Sequence, residues 1–326
     1  MTFKEFLLKR LGQAAISAFA LATILFFLFR AIPGNPTSRY IVGGMSKEAR
    51  ERLLAQWGLD QPLHVQYWDF LTDLFLLDFG ESFYFDQPII QLIQTRLVNT
   101  LALMLPGILI GVTLGVALGA LYGWKRGSNF ERAGVILSLT GRSVPIFFSG
   151  VVLQYLFAGG VHNWFPTGGM TSPAASFDSR WALFTSNDFL MHLVLPLIVV
   201  IIWYSATPAL IMRVGMIKSL NKEFQDTYRS WGVSELRRVL YTIKHGSLPV
   251  LTFLAVLVGY IFGGQVIIEV VYSWPGMGRL LVEAVYNQDL RLLEVTFFLM
   301  GMAIILLNFL VDITYSLIDP RIGLGD

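Results

Sequence analysis

Six stretches of this 326-residue chain, residues 11–32, 100–123, 134–158, 189–212, 249–271 and 295–318, are each long and apolar enough to cross a bilayer. Crossing the hydrocarbon core takes about 20 residues as a helix, a form that satisfies its own backbone hydrogen bonds where no water can. With 55% hydrophobic and 14% charged residues, the chain falls short of the roughly one-quarter charged residues of a water-soluble domain. The expected fold is all-α, a polytopic membrane protein with six transmembrane helices. The first stretch follows Lys4, Lys9 and Arg10 but runs on through "ILFFLF", past the 7 to 15 residues of a signal-peptide core. It reads as a retained anchor.

An even number of spans puts both termini on one side, and the basic residues say which. With the N-terminus inside, the inner segments hold Lys4, Lys9, Arg10, Lys125, Arg126, Arg132, Arg213, Lys218, Lys222, Arg229, Arg237, Arg238, Lys244 and Arg321. The longer outer segments hold only Arg39, Lys47, Arg50, Arg52, Arg96, Arg180, Arg279 and Arg291. The positive-inside bias therefore places both termini in the cytoplasm of a cell (plasma or inner) membrane. Three regions follow: 1–32, the cytoplasmic N-terminus and first span; 33–99, an extracytoplasmic segment; and 100–326, a five-helix core with a cytoplasmic loop at about 217–249. Within the second region, "SKEARERLLAQWG" offers Ser46 as N-cap and Gly58 as stop. A second helix there puts Leu63, Tyr67, Phe70, Leu71, Leu74 and Leu77 on one face, either lying at the outer interface or capping the bundle.

Chemistry-bearing patterns are scarce. There is no cysteine, and His64, His162, His192 and His245 are scattered without a His-x-x-x-His pair, so no metal site is expected. No Gly-x-x-x-x-Gly-Lys-Ser/Thr phosphate cradle, nucleophile elbow or His-Glu-x-x-His pair occurs, and no catalytic residue is assigned. A net charge of +2 gives no case for nucleic acid. Gly107, Gly111, Gly115, Gly119 and Gly123 recur every four residues in the second span. Such a stripe lets another backbone approach, either in generic bundle packing or against a moving helix or partner subunit. Pro106, Pro145, Pro196 and Pro208 can bend their spans. Among the few polar groups inside spans are Gln154, Gln265, Glu269, Asn308 and Asp312. Gln265 and Glu269 are candidate pathway residues, with an interfacial place also open to Glu269, while Asn308 and Asp312 are expected to bond a neighbouring helix.

The loop "IKSLNKEFQDTYRSWGVSELRRVLYTIKHGSLPV" is polar, basic and of helical spacing, with Gly232 near its middle. Charge pairs at i, i+3 and i+4 support a helix on either side, and the glycine supplies the bend. This is either an ordinary basic loop or a short rigid foot that a partner can push.

Five phrases carry a resemblance: "FRAIPGNP", "WGLDQPLHVQY", "GRSVPIFFSG", "VVYSWPGMGRLLVEAV" and "NFLVDITYSLIDPRI". The chain resembles the membrane subunits of ABC importers, and closely the first permease of the dipeptide, oligopeptide and nickel group, which implies a type I ABC importer permease fold. The loop is similar to that family's Glu-Ala-Ala coupling motif. Asp226, Thr227 and Tyr228 stand at the Glu-Ala-Ala positions, and Gly232 and Leu248-Pro249 match. Tyr228 is far bulkier than the family alanine. The resemblance implies that Glu223, Asp226, Thr227, Tyr228, Gly232 and Glu235 meet an ATPase subunit. It also implies a second homologous permease subunit, two ATP-binding subunits that hold ATP and Mg, and an extracytoplasmic substrate-binding protein delivering solute near "YSWPGMGR". No cofactor is expected in this chain itself. Short peptides are the implied solute, with nickel, glutathione or a sugar as alternatives within the class. An ion-coupled secondary transporter is the rival outside it and should show an internal repeat or paired intramembrane acids.

Overall fold

The computed structural model describes residues 3–31, 60–250, 253–254, 257 and 266–318. The helix expected after Ser46, Gln265 and most of 249–271 lie outside the described residues. Among those described, the regular structure is helical, with two isolated bridges, Glu81 to Pro88 and Ala158 to Asn163. The chain forms two compact units, Met1–Arg96 with Leu280–Asp326, and Leu97–Arg279.

In the first unit, α1 (Phe3–Ala31) and α12 (Leu290–Ile318) run antiparallel. Arg10 meets Asp312 at 3.0 Å at one end, Gly301 receives Leu21 midway, and Arg30 meets Glu294 at 2.5 Å at the other end. Asp312 thus bonds a neighbouring helix as expected, while Asn308 is exposed. Helix α2 (Leu63–Leu76) docks through Tyr67, whose hydroxyl lies 2.8 Å from Thr23 Oγ1 and whose ring meets Phe26 edge-on. Phe70, Leu71 and Leu74 are buried, but Leu63 and Leu77 at the ends of the expected stripe are exposed. Leu77 adopts a left-handed φ of 58° and stops the helix.

The second unit is organised by α3 (Ile89–Trp124), whose residues from Leu97 onward belong to it, and α7 (Asn187–Leu220). At 36 and 34 residues, these helices are about 54 and 51 Å long, well beyond a hydrocarbon core of about 30 Å. All five glycines of the stripe face α7. Gly107 abuts Val200, Gly111 the backbone of Ile201, Gly115 that of Ser205, Gly119 that of Ala209, and Gly123 the Met216 side chain. The register advances in step along both chains, so the helices are parallel, and the missing Cβ atoms let the two backbones approach.

The third apolar segment differs from the single helix expected over 134–158. It is two helices, α4 (Asn129–Ser143) and α5 (Ile146–Phe157), meeting at 98°. Pro145 has no N–H to continue the ladder and biases Val144 away from helical ψ. Val144 sits at φ −70° and ψ 126°, and α5 restarts with Pro145 as its N-cap. By contrast Pro106, Pro196 and Pro208 lie inside α3 and α7. Helix α4 runs antiparallel to α7, from Glu131 beside Arg213 to Arg142 beside Trp203. Beyond α5, Ser172 bonds Asp188 in the first turn of α7, so the chain returns to the N-terminal end of that helix. By length and hydropathy, the described residues hold four spans, α1, α3, α7 and α12, or five if the bent pair is one. The remaining helices are α6 (Arg180–Thr185), α8 (Phe224–Ser230), α9 (Glu235–Gly246), α10 (Val266–Val271) and α11 (Met277–Tyr286).

Candidate functional site

The loop after α7 is folded as a foot of two helices. Helix α8 ends where Val233 N–H bonds Tyr228 O and Gly232 N–H bonds Arg229 O, both at 3.0 Å. Gly232 takes φ +66°, a left-handed conformation in which L side chains are strained. Nothing lies within 4 Å of where its Cβ would be. The demand for glycine is therefore one of backbone angle and not of space. Glu235 in the first turn of α9 and Lys244 and His245 in the last complement the helix dipole.

The helices of the foot are joined by a polar contact flanked by rings. Gln225 is buried and donates to Thr242 Oγ1 at 2.7 Å. Phe224 packs on His245, with ring centres 4.9 Å apart, and Tyr228 on Tyr241 at 5.1 Å. The bulk of Tyr228 is thus matched by a second tyrosine on the facing helix. The foot is rooted on the long helices. Gly246 lies against the backbone of Gly215 in α7, and Trp124 Nε1, at the end of α3, donates to Glu235 Oε1 at 3.1 Å. Close by, Arg213 of α7 donates through Nε (2.8 Å) and Nη2 (2.5 Å) to Glu131 Oε1, and Gly127 N–H fills Glu131 Oε2. The start of α4 is thereby pinned to α7 beside the foot.

Of the residues singled out from sequence, Glu223, Asp226, Thr227, Gly232 and Glu235 are exposed and Tyr228 is half-buried. Between and beyond them the foot displays Trp231 (73% exposed), Leu236 (71%) and Leu240 (56%). Sequence reasoning missed these three. Their signal is large apolar residues in an otherwise polar loop, unmatched by a buried face. No group of three or more His, Cys, Asp or Glu side chains that could hold a metal occurs among the described residues. The arrangement offers an apolar, charge-rimmed surface on a rigid support, suited to docking.

At the other end of the unit, Glu269 is fully buried. Thr100 Oγ1 donates to its Oε1 at 2.7 Å and Arg279 N–H to its Oε2 at 3.0 Å. A Cβ on Gly276 would collide with the carboxylate. Trp274 N–H bonds Glu269 O at 2.7 Å, and its indole, also fully buried, donates to Asn99 O at 2.8 Å. Tyr272, whose phenol burial pushes up and keeps protonated, donates to Gly150 O at 3.0 Å. The segment "YSWPGMGR" is therefore held within this unit by its own bonds, with Ser273 its exposed residue. Gln154, in α5, donates to Val271 O at 3.2 Å, bonding the same region.

Residues 107–324 match the family described as binding-protein-dependent transport system inner membrane component, and residues 3–104 match the N-terminal part of such membrane components. The chain belongs to this family. It is 35% identical over 307 residues to a putative peptide permease protein of Brucella suis, covering 93% of this chain and 94% of that one. A probable peptide ABC transporter permease protein of Sinorhizobium fredii is 32% identical over 322 residues, covering 97% and 98%. A di/tripeptide transport system permease protein of Pseudomonas aeruginosa is 33% identical over 335 residues, covering 98% of each. As a member, the chain is an integral membrane component of a multi-subunit transport system, consistent with its long apolar helices.

Proposed function

We propose that this chain is the permease subunit of an ATP-driven importer of di- and oligopeptides, forming half of the pathway and turning the motion of ATPase subunits into alternating access. The observation that carries the reading is the foot, a helix, glycine and helix rooted on α3 and α7 and displaying Trp231, Leu236 and Leu240. A load applied there is delivered to the two longest helices. ATP can drive reorientation only if the ATPase subunits bind one permease conformation better than another, and the foot is the surface through which that difference would act. Peptide as solute is supported by the names of the relatives.

The topology we infer has six crossings with both termini in the cytoplasm. Gly246 lies beside Gly215 near the C-terminal end of α7, whereas Gly150 of α5 and Thr100 of α3 meet the segment that follows Val266. The intervening chain thus connects opposite ends of the unit, which supports a crossing between the foot and α10. The basic residues Lys218, Lys222, Arg229, Arg237, Arg238 and Lys244 at the foot support a cytoplasmic face. The partners in this reading are a second, similar permease, two ATP-binding subunits holding ATP and Mg, and an extracytoplasmic binding protein. The chain itself is not an ATPase, in keeping with a sequence that carries no phosphate-cradling loop.

The test is co-purification from the native host in mild detergent. Recovery of a second membrane chain and two nucleotide-binding subunits is the expected result. Gly232→Val, which forces a β-branched residue to φ +66°, should cut recovery of the nucleotide-binding subunits at least tenfold while leaving the second permease bound. Recovery of this chain alone, or full retention of the ATPase subunits by the variant, would contradict the reading.

A further inference from the structure

Two basic residues fall inside the apolar segments, Arg30 and Arg142. Arg30 is bonded to Glu294. Arg142, in the last turn of α4, is exposed, and no carboxylate among the described residues lies within ion-pair distance of it. Its guanidinium carbon instead stands 4.3 Å above the ring of Trp203, at the midpoint of the 34-residue α7. A charge at that depth is costly in hydrocarbon and is found facing water or a counter-charge.

The surroundings are those of a half-built anion site. Stacking on the indole covers one face of the guanidinium and fixes its orientation. It leaves free the planar fork of N–H donors that matches a carboxylate. The adjacent indole Nε1–H is itself buried without an acceptor among the described residues. The chain bends by 98° directly after this helix. The helix C-terminus there, with its excess of unpaired carbonyls, stabilises the cation in the absence of a bound anion.

Resting on the importer reading above, we propose that Arg142 lines the translocation pathway and binds the C-terminal carboxylate of a passing peptide at mid-membrane depth. The Trp203 indole is its positioning partner. Delivery to the complex belongs to the binding protein, so Arg142 acts on the rate of passage and not on the concentration dependence of uptake.

The chain has no cysteine, so Arg142→Cys introduces a single thiol in this subunit. The assembled complex in proteoliposomes is assayed for uptake of radiolabelled dialanine before and after treatment with methanethiosulfonates bearing an ethylammonium or an ethylsulfonate group. The variant should lose at least tenfold in maximal uptake with an unchanged half-saturating dialanine concentration. The ammonium reagent should restore most of the loss, the sulfonate should not, and dialanine should slow modification of the thiol. Four results would overturn the assignment: wild-type uptake by Arg142→Cys, a thiol that neither reagent reaches, equal rescue by both reagents, or rescue without protection by dialanine, which would mark a counter-charge in a partner subunit. No ATP-dependent uptake by the unsubstituted complex would remove the importer reading and this assignment together, whereas normal uptake there with any of the four results removes the assignment alone.

Discussion

Gly119→Val is expected to yield almost no folded chain, lowering stability by about 3 kcal/mol or more. A Cβ at this position runs into the Ala209 carbonyl oxygen and lies 2.8 Å from Met212 Cβ. The obstacle is the α7 backbone, held in its own helical ladder, so no rotamer change relieves the contact. Overpacking of an ordinary core is softened by side chains that shift. Here α3 must move off α7, and the contacts of Gly111, Gly115 and Gly123 go with it. Gly12→Ala is the control, since its Cβ meets nothing within 4 Å and alanine is the better helix former. Thermal unfolding of the detergent-purified protein should be unchanged or slightly raised for the control. Equal melting of the two variants would mean that α3 and α7 are not packed as described.

Glu269→Ala is expected to cost about 3 kcal/mol, because it leaves the Thr100 hydroxyl and the Arg279 N–H without acceptors in a fully buried site. The loss reaches further, since the same turn seats Trp274 and, through Tyr272 O, holds Gly169 N–H at 2.8 Å. Limited proteolysis within residues 158–179 should therefore accelerate together with the fall in melting temperature. Glu269→Gln, which keeps an acceptor and the shape of the side chain, should lose less than half as much. The pathway role expected from sequence makes the opposite forecast for Glu269→Gln: unchanged melting with lost uptake.

The contrast between these two sites shows what the sequence carried. The glycine stripe was legible because a four-residue interval on a helix has one geometric meaning, but the interval does not name the opposing helix. Only packing revealed α7. The acidic side chain of Glu269 was legible as unusual in an apolar segment, yet its partners Thr100 and Arg279 lie far apart in sequence, and no local pattern joins them. The bend at Val144 and Pro145 was hidden because four prolines fall in or near spans with similar flanks, and three of them sit within unbroken helices. In the foot, helix spacing and Gly232 sufficed to place α8 and α9. The substitution at Tyr228 could not be judged from one helix, since its compensation by Tyr241 is a contact between two.

The central claim, a foot-driven permease that moves peptide only as part of an ATP-powered assembly, is tested most directly by reconstitution. Purified chain, co-purified subunits and the binding protein would be placed in proteoliposomes, and dialanine accumulation followed with and without ATP. Concentrative uptake that requires ATP, the binding protein and an intact Gly232 is the result predicted here. Uptake by this chain alone, driven by an ion gradient and indifferent to ATP, would contradict it.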